Sequence, residues 1–286
     1  MGIQQIKSLI EMTKPRAMFV VLLTALAGVL IAADGVPNVW LLVHLMLGTA
    51  LSGGGSIVFN QVIERDYDRR MERTRHRPMA AGTISPALGW CYGAFLSVAG
   101  TAWLWAFVNP ITALLAGLSV ASYAFIYTPL KRRTTFNTAV GAVPGAIPPM
   151  MGVTAVTGVI TPEAWVLFAI LFVWQFPHFL AIAWLHREDY QTAGYCMLPV
   201  LDSEGGMTAR QIILNTICLL FLTMVPVMMK TAGPKYAVGA LAIGIAFCSL
   251  GLLHARLRSV RSARILLRGS VIHIAILMTL LVADRL

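Results

Sequence analysis

The feature that most constrains the fold of this chain is a series of nine apolar stretches, each about as long as a helix that crosses a bilayer. A membrane-spanning helix needs about 20 predominantly apolar residues. The chain is 58% hydrophobic and only 12% charged, whereas a soluble domain carries roughly a quarter charged residues. We therefore predict an all-α fold, a polytopic membrane helix bundle of about nine transmembrane helices. The stretches centre near 17–33, 38–59, 87–107, 110–127, 137–157, 163–185, 211–229, 235–254 and 266–283.

The basic residues are distributed unevenly between these stretches. The formal net charge is +10, and all but Lys230, Lys235 and Arg285 of the 22 lysines and arginines fall on one side of the predicted topology. Because basic residues mark the cytoplasmic side, we predict a cytoplasmic N-terminus and a C-terminus outside. The charges stand in short gaps and form no solvated stripe, which argues against nucleic acid as a partner. The simplest location is a bacterial cytoplasmic membrane, surrounded by membrane lipid.

Residues 1–286 are predicted to form a single transmembrane domain, since no linker or low-complexity tract divides them. The first apolar run could be a secretory signal, but eight further runs follow it, so we interpret it as a retained helix. The four cysteines lie far apart with no CxxC pair, which supports neither a disulfide framework nor a zinc site. The long inside loops, at about 61–86, 128–136 and 186–210, are rich in ionisable residues. We expect the chemistry to face the cytoplasm there.

The strongest candidate site is an acidic stripe at the inner end of the second apolar stretch. Asn60, Glu64 and Asp68 recur every four residues, so on a helix they follow one face over about 12 Å. Hard cations such as Mg²⁺ prefer oxygen ligands and are often completed by substrate phosphates. An ordinary interfacial helix with i,i+4 ion pairs is the alternative. Since Asn60 and Glu64 extend from a helix that starts deep in the bilayer, a phosphate site is favoured.

Two groups of basic residues accompany the stripe. Arg73, Arg75 and Arg77 follow it directly, and they supply the donors that a metal-bound diphosphate needs for its remaining oxygens. Lys131 follows Pro129 at the next inside loop and is predicted to project back towards the interface. Charge that merely sets the topology explains Lys131 equally well on its own. Beside the acidic stripe, Lys131 becomes a candidate phosphate ligand.

A third cluster contains histidines. His178 and His186 are eight residues apart, which predicts a shared helix face, and Asp189 is expected one further turn along. Ile182 occupies the i,i+4 position between the histidines, so a transition-metal helix is disfavoured. A histidine within a membrane helix is a hydrogen-bonded core residue, a proton carrier or a contact to a polar acceptor group.

Several phrases of the sequence resemble the UbiA-type intramembrane prenyltransferases, and in particular their heme-modifying members. The resemblance covers nearly the whole chain. It rests on Lys14-Pro15-Arg16, Asn60-x3-Glu64-x3-Asp68 with Met71-Glu-Arg73-Thr and Arg77-Pro78, Tyr127-Thr-Pro-Leu-Lys131, Pro177-His178-Phe through Arg187-Glu-Asp-Tyr190, the run 137–149, and Ala193-Gly-Tyr-x-Met-Leu-Pro.

The resemblance implies a nine-helix bundle around a central cavity and a prenyltransferase activity. It implies Mg²⁺ as the cofactor, with farnesyl diphosphate held through the metal by Asn60, Glu64 and Asp68. Heme b is implied as the acceptor, and heme A synthase or a terminal oxidase assembly as candidate partners. The catalytic set is then the acidic stripe with Lys131, His178, His186 and Asp189; the diphosphate side comprises Lys14, Arg16, Arg73, Arg77, Tyr127 and Lys131.

Two positions depart from the general pattern of that family. Glu64 stands where Asp is commonest and keeps an oxygen ligand at longer reach. The second acidic motif is reduced to Glu188-Asp189, which leaves Asp189 as the weaker candidate for a further metal ligand. The alternatives are a quinone or aromatic prenyltransferase, a proton-coupled transporter, and a heme-handling chaperone without chemistry.

Overall fold

The computed structural model describes residues 3–285, and within that range it contains helices and no strands. We number the α-helices in chain order; a π-helical turn, Ser122–Tyr127, separates two of them. Their bounds are α1 Ile3–Met12, α2 Pro15–Ala32, α3 Val39–Asp68, α4 Pro78–Ala81, α5 Pro86–Phe107, α6 Pro110–Ala121, α7 Thr128–Leu130, α8 Asn137–Thr157, α9 Pro162–Leu185, α10 Arg187–Thr192, α11 Leu198–Leu201, α12 Gly206–Leu222, α13 Val225–Met228, α14 Pro234–Leu257 and α15 Val260–Arg285.

Nine helical segments within residues 3–285 are long and apolar enough to cross a membrane, which confirms the predicted fold class. The clearest difference from the predicted bounds is α3, whose 30 residues continue to Asp68. At 1.5 Å per residue it is about 45 Å long, against about 30 Å of hydrocarbon in a bilayer. Its last turns therefore project past the apolar layer. The seventh spanning segment begins at Gly206, before the predicted start near 211.

Local sequence explains where the spanning helices begin. Asn38, Ser85, Asn109 and Thr161 each precede a helix and accept a hydrogen bond from a backbone N–H of its first turn. Such caps satisfy donors that have no partner inside the helix. Proline, whose missing N–H costs nothing at a first position, starts α2, α5, α6, α9 and α14.

The helices pack in two groups that meet along α8 and α9. In the first group α3 lies against α5 and α2 against α8; in the second, α12 and α15 each pack against both α9 and α14. Glycines allow the closest approach, since a Cβ at Gly28 of α2 would collide with the Pro149 carbonyl of α8. Large apolar side chains such as Phe95, Trp105 and Phe221 are exposed on the outer surface. This surface suits lipid and identifies an integral membrane protein.

Candidate active site

The acidic stripe lies on one buried face of α3. The relative exposures of Asn60, Glu64 and Asp68 are 2%, 5% and 0%. Their four-residue spacing along an unbroken helix keeps the three side chains in one row. Two adjacent carboxylates buried in this way are costly unless cations or hydrogen bonds compensate them.

Each member of the stripe has its own partner. Lys131 Nζ lies 2.8 Å from Glu64 Oε1. Arg77 Nη1 donates to both oxygens of Asp68, at 3.0 and 2.8 Å. Asn60 Nδ2 donates to Thr128 Oγ1 at 3.0 Å. The structure thus brings together the acidic stripe and two of the basic residues expected beside it.

The segment after α3 explains why Arg77, and neither Arg73 nor Arg75, reaches the stripe. Thr74 Oγ1 donates to the Asp68 carbonyl at 2.9 Å, which folds the chain back on the helix end. Arg75 instead pairs with Glu72 at 2.6 Å on the exposed side of the turn. Arg73 is also exposed, and its Nη2 donates to Tyr190 Oη at 3.4 Å. Arg73 therefore borders the site and does not contact the stripe.

Aromatic rings surround the Lys131 ammonium. Nζ lies 4.6 Å from the Tyr127 ring centroid and 5.9 Å from that of Tyr195. Burial opposes the charged form, but the Glu64 carboxylate outweighs it and raises the pKa of Lys131 well above its ordinary value. Lys131 is therefore a fixed positive charge at neutral pH.

The π-helical turn before Lys131 sets the register of this segment. Such turns insert an extra residue into a helix and often occur at functional sites. Here it places Thr128 so that its hydroxyl donates to the Tyr123 carbonyl at 2.8 Å while accepting the amide of Asn60. Neither Thr128 nor Tyr123 is predicted as a site residue from the sequence, because an apolar run gives no sign of a π turn.

Lys14 approaches the stripe from the turn between α1 and α2. Gln61 Nε2 donates to the Met12 carbonyl at 2.7 Å and so holds this turn against α3. Burial, together with the nearby charges of Arg77 and Lys131, lowers the pKa of Lys14 to about 7. Arg16 is exposed on the first turn of α2, and in the described part of the chain it makes no side-chain hydrogen bond or ion pair.

The predicted continuation of the histidine-containing helix to Asp189 is wrong. Helix α9 ends at Leu185, and His186 is its C-cap with φ −118° and ψ 26°, so Asp189 belongs to the separate helix α10. His178 lies within α9, where its Nδ1 is 2.8 Å from Ser270 Oγ. Within residues 3–285 no group of three histidine, cysteine or acidic side chains is arranged to hold a metal. The bend at His186 therefore moves Asp189 off the face that a continuous helix would have given it.

Asp189 has a different role in the structure. Its Oδ1 accepts a hydrogen bond from the Glu72 backbone N–H at 3.1 Å, which docks α10 on the turn that follows the acidic stripe. A metal-binding role for Asp189 stays a prediction, with Oδ2 as the available ligand atom. Asp66, in contrast, is exposed and pairs with Arg65 and Arg69.

The segment after α10 is tied to the Lys131 loop. Cys196 N donates to the Lys131 carbonyl at 2.7 Å, and Asn137 Nδ2 donates to the Cys196 carbonyl at 2.9 Å. These bonds hold Tyr195, which is 2% exposed, beside Lys131. Sequence reasoning missed Asn137 and Tyr195 as site residues, since their positions depend on contacts about 60 residues away along the chain.

A cavity of about 550 Å³ adjoins the site at the ends of α9 and α14. Trp184 contributes a buried indole, and Arg187 lies 5.5 Å from its ring centroid. Burial, with the nearby Arg73, lowers the pKa of His186, which leaves its imidazole neutral at pH 7. The lining is Trp184, Leu185, His186, Arg187, Glu188, Asp189, Arg258, Ser259 and Val260.

The donor set of the stripe fits a hard divalent cation. Glu64 and Asp68 supply carboxylate oxygens, and because Asn60 uses its Nδ2 towards Thr128, its Oδ1 faces away from that bond. Mg²⁺ is typically held by one or two carboxylates with substrate phosphates and water. The cations already at the stripe, Lys131 and Arg77, match the oxygens of a phosphate group in charge.

Comparison with known proteins identifies relatives of this chain. The model of the UbiA prenyltransferase family matches residues 21–276. The chain is 41% identical to a protoheme IX farnesyltransferase of Solibacter usitatus (strain Ellin6076), over 96% of this chain and 98% of that protein. It is 39% identical to a protoheme IX farnesyltransferase of Koribacter versatilis (strain Ellin345), over 96% of this chain and 92% of that one.

Solved structures share the fold at low sequence identity. A structure concerning digeranylgeranylglyceryl phosphate synthase in membranes superposes with a TM-score of 0.81 at 15% identity, covering 99% of both chains. A UbiA homolog from Archaeoglobus fulgidus bound to GPP and Mg²⁺ superposes with a TM-score of 0.67 at 15% identity, covering 96% of this chain and 99% of that one. The resemblance inferred from the motifs is thereby confirmed, and the chain belongs to the UbiA prenyltransferase family.

Proposed function

We propose that this protein is a heme O synthase, which transfers the farnesyl group of farnesyl diphosphate to a vinyl group of heme b. The observation that carries the proposal is the 41% identity, along nearly the full length of both chains, to a protoheme IX farnesyltransferase. The buried row of acids and cations supports the prenyl diphosphate half of the reaction independently. The products are heme O and diphosphate.

Asn60, Glu64 and Asp68 would hold Mg²⁺ at the diphosphate, as their oxygen donors suggest. When bound, the metal would neutralise phosphate charge and make diphosphate a better leaving group. A UbiA homolog with GPP and Mg²⁺ supports this assignment by its fold. Within this site Asp189 is a candidate for a second metal ligand.

In the absence of substrate, the two ion pairs hold the proposed metal ligands and phosphate ligands against each other. Lys131 would turn from Glu64, and Arg77 from Asp68, towards phosphate oxygens, while the acids turn to the metal. Both cations stay compensated throughout, so no buried charge is left without a partner. Lys14, Tyr127 and Arg73 border the same space and would contact the outer phosphate oxygens; Arg16 would do so only after its exposed side chain moves inward.

The reaction balances with one water molecule. The allylic C–O bond breaks, and diphosphate leaves with the electron pair while Lys131 and Arg77 stabilise its charge. The terminal vinyl carbon of heme forms the new C–C bond, and water adds to the cation left next to the ring, losing a proton. Apolar helix walls would keep water away until that last step, since earlier attack would give only farnesol.

The cavity at the end of α9 is the proposed site for the polar edge of heme. Arg187 and Arg258 present guanidinium groups that suit propionates; Arg187 lies over the buried Trp184 indole, and Arg258 donates to the Glu204 carbonyl. Neutral His186 stands where it could accept the proton that water releases, and His178 is a candidate for orienting the acceptor from within α9.

The location is proposed on the distribution of basic residues. The long inside loops that carry the site are also those that carry most lysines and arginines, which supports a bacterial cytoplasmic membrane with the site facing the cytoplasm. Reporter fusions at the two termini test this orientation: an active cytoplasmic reporter at the C-terminus would contradict it. Heme A synthase and a terminal oxidase assembly stay candidate partners.

The direct test is to incubate the purified protein with heme b, farnesyl diphosphate and Mg²⁺ and to analyse the pigment by mass spectrometry. We expect a heme that carries a hydroxyethylfarnesyl group, together with release of diphosphate. Transfer to a quinone precursor or aromatic acid, with none to heme, would favour the other prenyltransferase class. Uptake into liposomes without a chemical product would indicate a transporter, and heme binding without diphosphate release would indicate a chaperone.

A further inference from the structure

A buried tyrosine stands at the acidic stripe without a hydrogen-bond partner. Tyr195 lies between α10 and α11 and is 2% exposed. Its backbone is fixed on both sides, because Tyr195 N donates to the Tyr190 carbonyl at 2.9 Å and Cys196 N donates to the Lys131 carbonyl at 2.7 Å. These two hydrogen bonds therefore fix the segment that holds the phenol ring at the site.

The surroundings of this side chain are the charged groups of the site. Its ring centroid lies 5.9 Å from Lys131 Nζ. Burial and the negative charges of Glu64 and Asp68 raise the pKa of its hydroxyl. The Tyr67 and Tyr190 rings pack beside it, at 5.9 and 5.8 Å between centroids. Within the described residues no hydrogen bond of ordinary geometry reaches Tyr195 Oη, although the Glu64 carboxylate lies close enough to raise its pKa.

An unpaired hydroxyl in such a place points to a ligand. A buried hydroxyl without a partner costs free energy, so nearly all buried side-chain polar groups in native proteins are paired. Tyr236 shows the ordinary arrangement in the same chain: it is fully buried, and its hydroxyl donates to the Thr223 carbonyl at 2.8 Å. Tyr195 keeps its donor unused among groups that would bind a diphosphate.

We propose that Tyr195 donates a hydrogen bond to the diphosphate of the substrate and is a further catalytic residue of the transfer reaction. The proposal rests on the proposed function only in taking the donor substrate to be a prenyl diphosphate; it does not depend on heme. Negative charge builds on the leaving oxygen as the C–O bond breaks, so this hydrogen bond is strongest in the transition state. Burial, with Glu64 nearby, raises the pKa of Tyr195, so the hydroxyl keeps its proton.

The test compares Tyr195→Phe with Tyr236→Phe, since each removes one buried hydroxyl and nothing else. For Tyr195→Phe we expect kcat for farnesyl transfer to fall about ten- to hundredfold, as for loss of one hydrogen bond to a charged group, with thermal stability unchanged or higher. Tyr236→Phe should lower stability and leave kcat as in wild type. An undiminished kcat in Tyr195→Phe would overturn the proposal, as would a rate loss matched by an equal loss in Tyr236→Phe.

A binding measurement separates this inference from the identity of the acceptor. 3-Fluorotyrosine placed at 195, and in a second sample at 236, reports by fluorine NMR when Mg²⁺ and inorganic diphosphate are added. The signal at 195 should shift and the signal at 236 should stay. If the signal at 195 does not shift, the role of Tyr195 is refuted. This outcome is decisive even if Tyr195→Phe does not fold and the kinetic test cannot be made. A shift at 195 in a protein that fails to farnesylate heme b would sustain Tyr195 and refute the heme assignment alone.

Discussion

The Glu64–Lys131 ion pair makes a prediction in which stability and activity separate. The two charges lie 2.8 Å apart, and their side chains are only 6% and 11% exposed. At an effective dielectric constant of about 20, this distance gives an attraction of about 6 kcal/mol. Removing each ion from water costs several kcal/mol, so the pair as a whole contributes little net stability. Breaking it, however, leaves one buried charge uncompensated.

Glu64→Gln and Lys131→Met should therefore each lower the free energy of unfolding by about 3–5 kcal/mol. In the double variant no buried charge is left, so we expect it to be more stable than the sum of the single effects by about 2–3 kcal/mol. All three variants should be inactive, because the acid is needed for the metal and the ammonium for phosphate. The stability regained in the double variant should not restore turnover.

The measurement is a double-mutant cycle of SDS-induced unfolding in mixed micelles, followed by farnesyl transfer on the same samples. The exposed pair of Arg65 and Asp66 supplies the control, since Asp66→Asn should change stability little. Strictly additive losses in the Glu64–Lys131 cycle would refute the buried ion pair. Turnover by the double variant near the wild-type rate would refute the role of both groups in substrate binding.

Three further predictions concern metal, pH and acceptor. Asp68→Asn should abolish turnover in a folded protein, and excess EDTA should do the same to wild type until Mg²⁺ is restored; activity that survives both would contradict the metal site. Because Lys14 has a pKa of about 7, it is largely neutral at pH 8 and largely protonated at pH 6. Binding of diphosphate should therefore be accompanied by uptake of a proton at pH 8 but not at pH 6. Calorimetry in two buffers should show this uptake in wild type and not in Lys14→Met. Arg258→Ala should raise KM for heme about tenfold or more with KM for farnesyl diphosphate unchanged, and equal changes in both would argue against the proposed heme site.

The sequence predicted those parts of the fold and site that depend on local periodicity. Long apolar runs are sufficient to locate the spanning helices found in residues 3–285, because a bilayer requires helices of that length. The row of Asn60, Glu64 and Asp68 follows from a four-residue spacing, provided that the helix continues unbroken through it, as α3 does. Both predictions use distances of only a few residues along the chain.

The predicted placement of Asp189 one turn beyond His186 failed because the same reasoning was applied across a helix end. Nothing in the hydropathy of 163–190 shows that α9 stops at Leu185, since the bend depends on the backbone conformation of His186. Docking of α10 through Asp189 on the Glu72 backbone then fixes the bend from outside. The position of Asp189 thus depends on a tertiary contact, which the periodic pattern of the sequence does not show.

The choice of ion-pair partners was equally beyond the sequence. Arg73, Arg75 and Arg77 stand at alternate positions after the stripe, and only the return of the chain at Thr74 brings Arg77 to Asp68. Lys131 reaches Glu64 from a different span, through a π turn that adds a residue to the helix. Such pairings depend on three-dimensional approach, which composition and spacing do not encode locally.

The two ion pairs also imply that metal and diphosphate bind cooperatively. If Glu64 turned to a metal ion while no phosphate was present, the buried Lys131 ammonium would lose its partner; if Lys131 turned to diphosphate without a metal, Glu64 would lose its own. Each half-loaded state carries the penalty of an unpaired buried charge, and the fully loaded state carries none. Binding of one should therefore strengthen binding of the other by about tenfold or more, in both directions.

The double variant Glu64→Gln with Lys131→Met tests this coupling directly, because its half-loaded states no longer leave that pair unsatisfied. We expect the affinity for inorganic diphosphate to rise with Mg²⁺ much more in wild type than in the double variant, as measured by calorimetry. Asp66→Asn, on the exposed side of α3, should keep the wild-type coupling. Mg²⁺ and diphosphate already form a complex in solution, so the comparison between variants, and not the absolute enhancement, isolates the protein's contribution. An equal enhancement in wild type and double variant would mean that the ion pair does not couple metal binding to diphosphate binding.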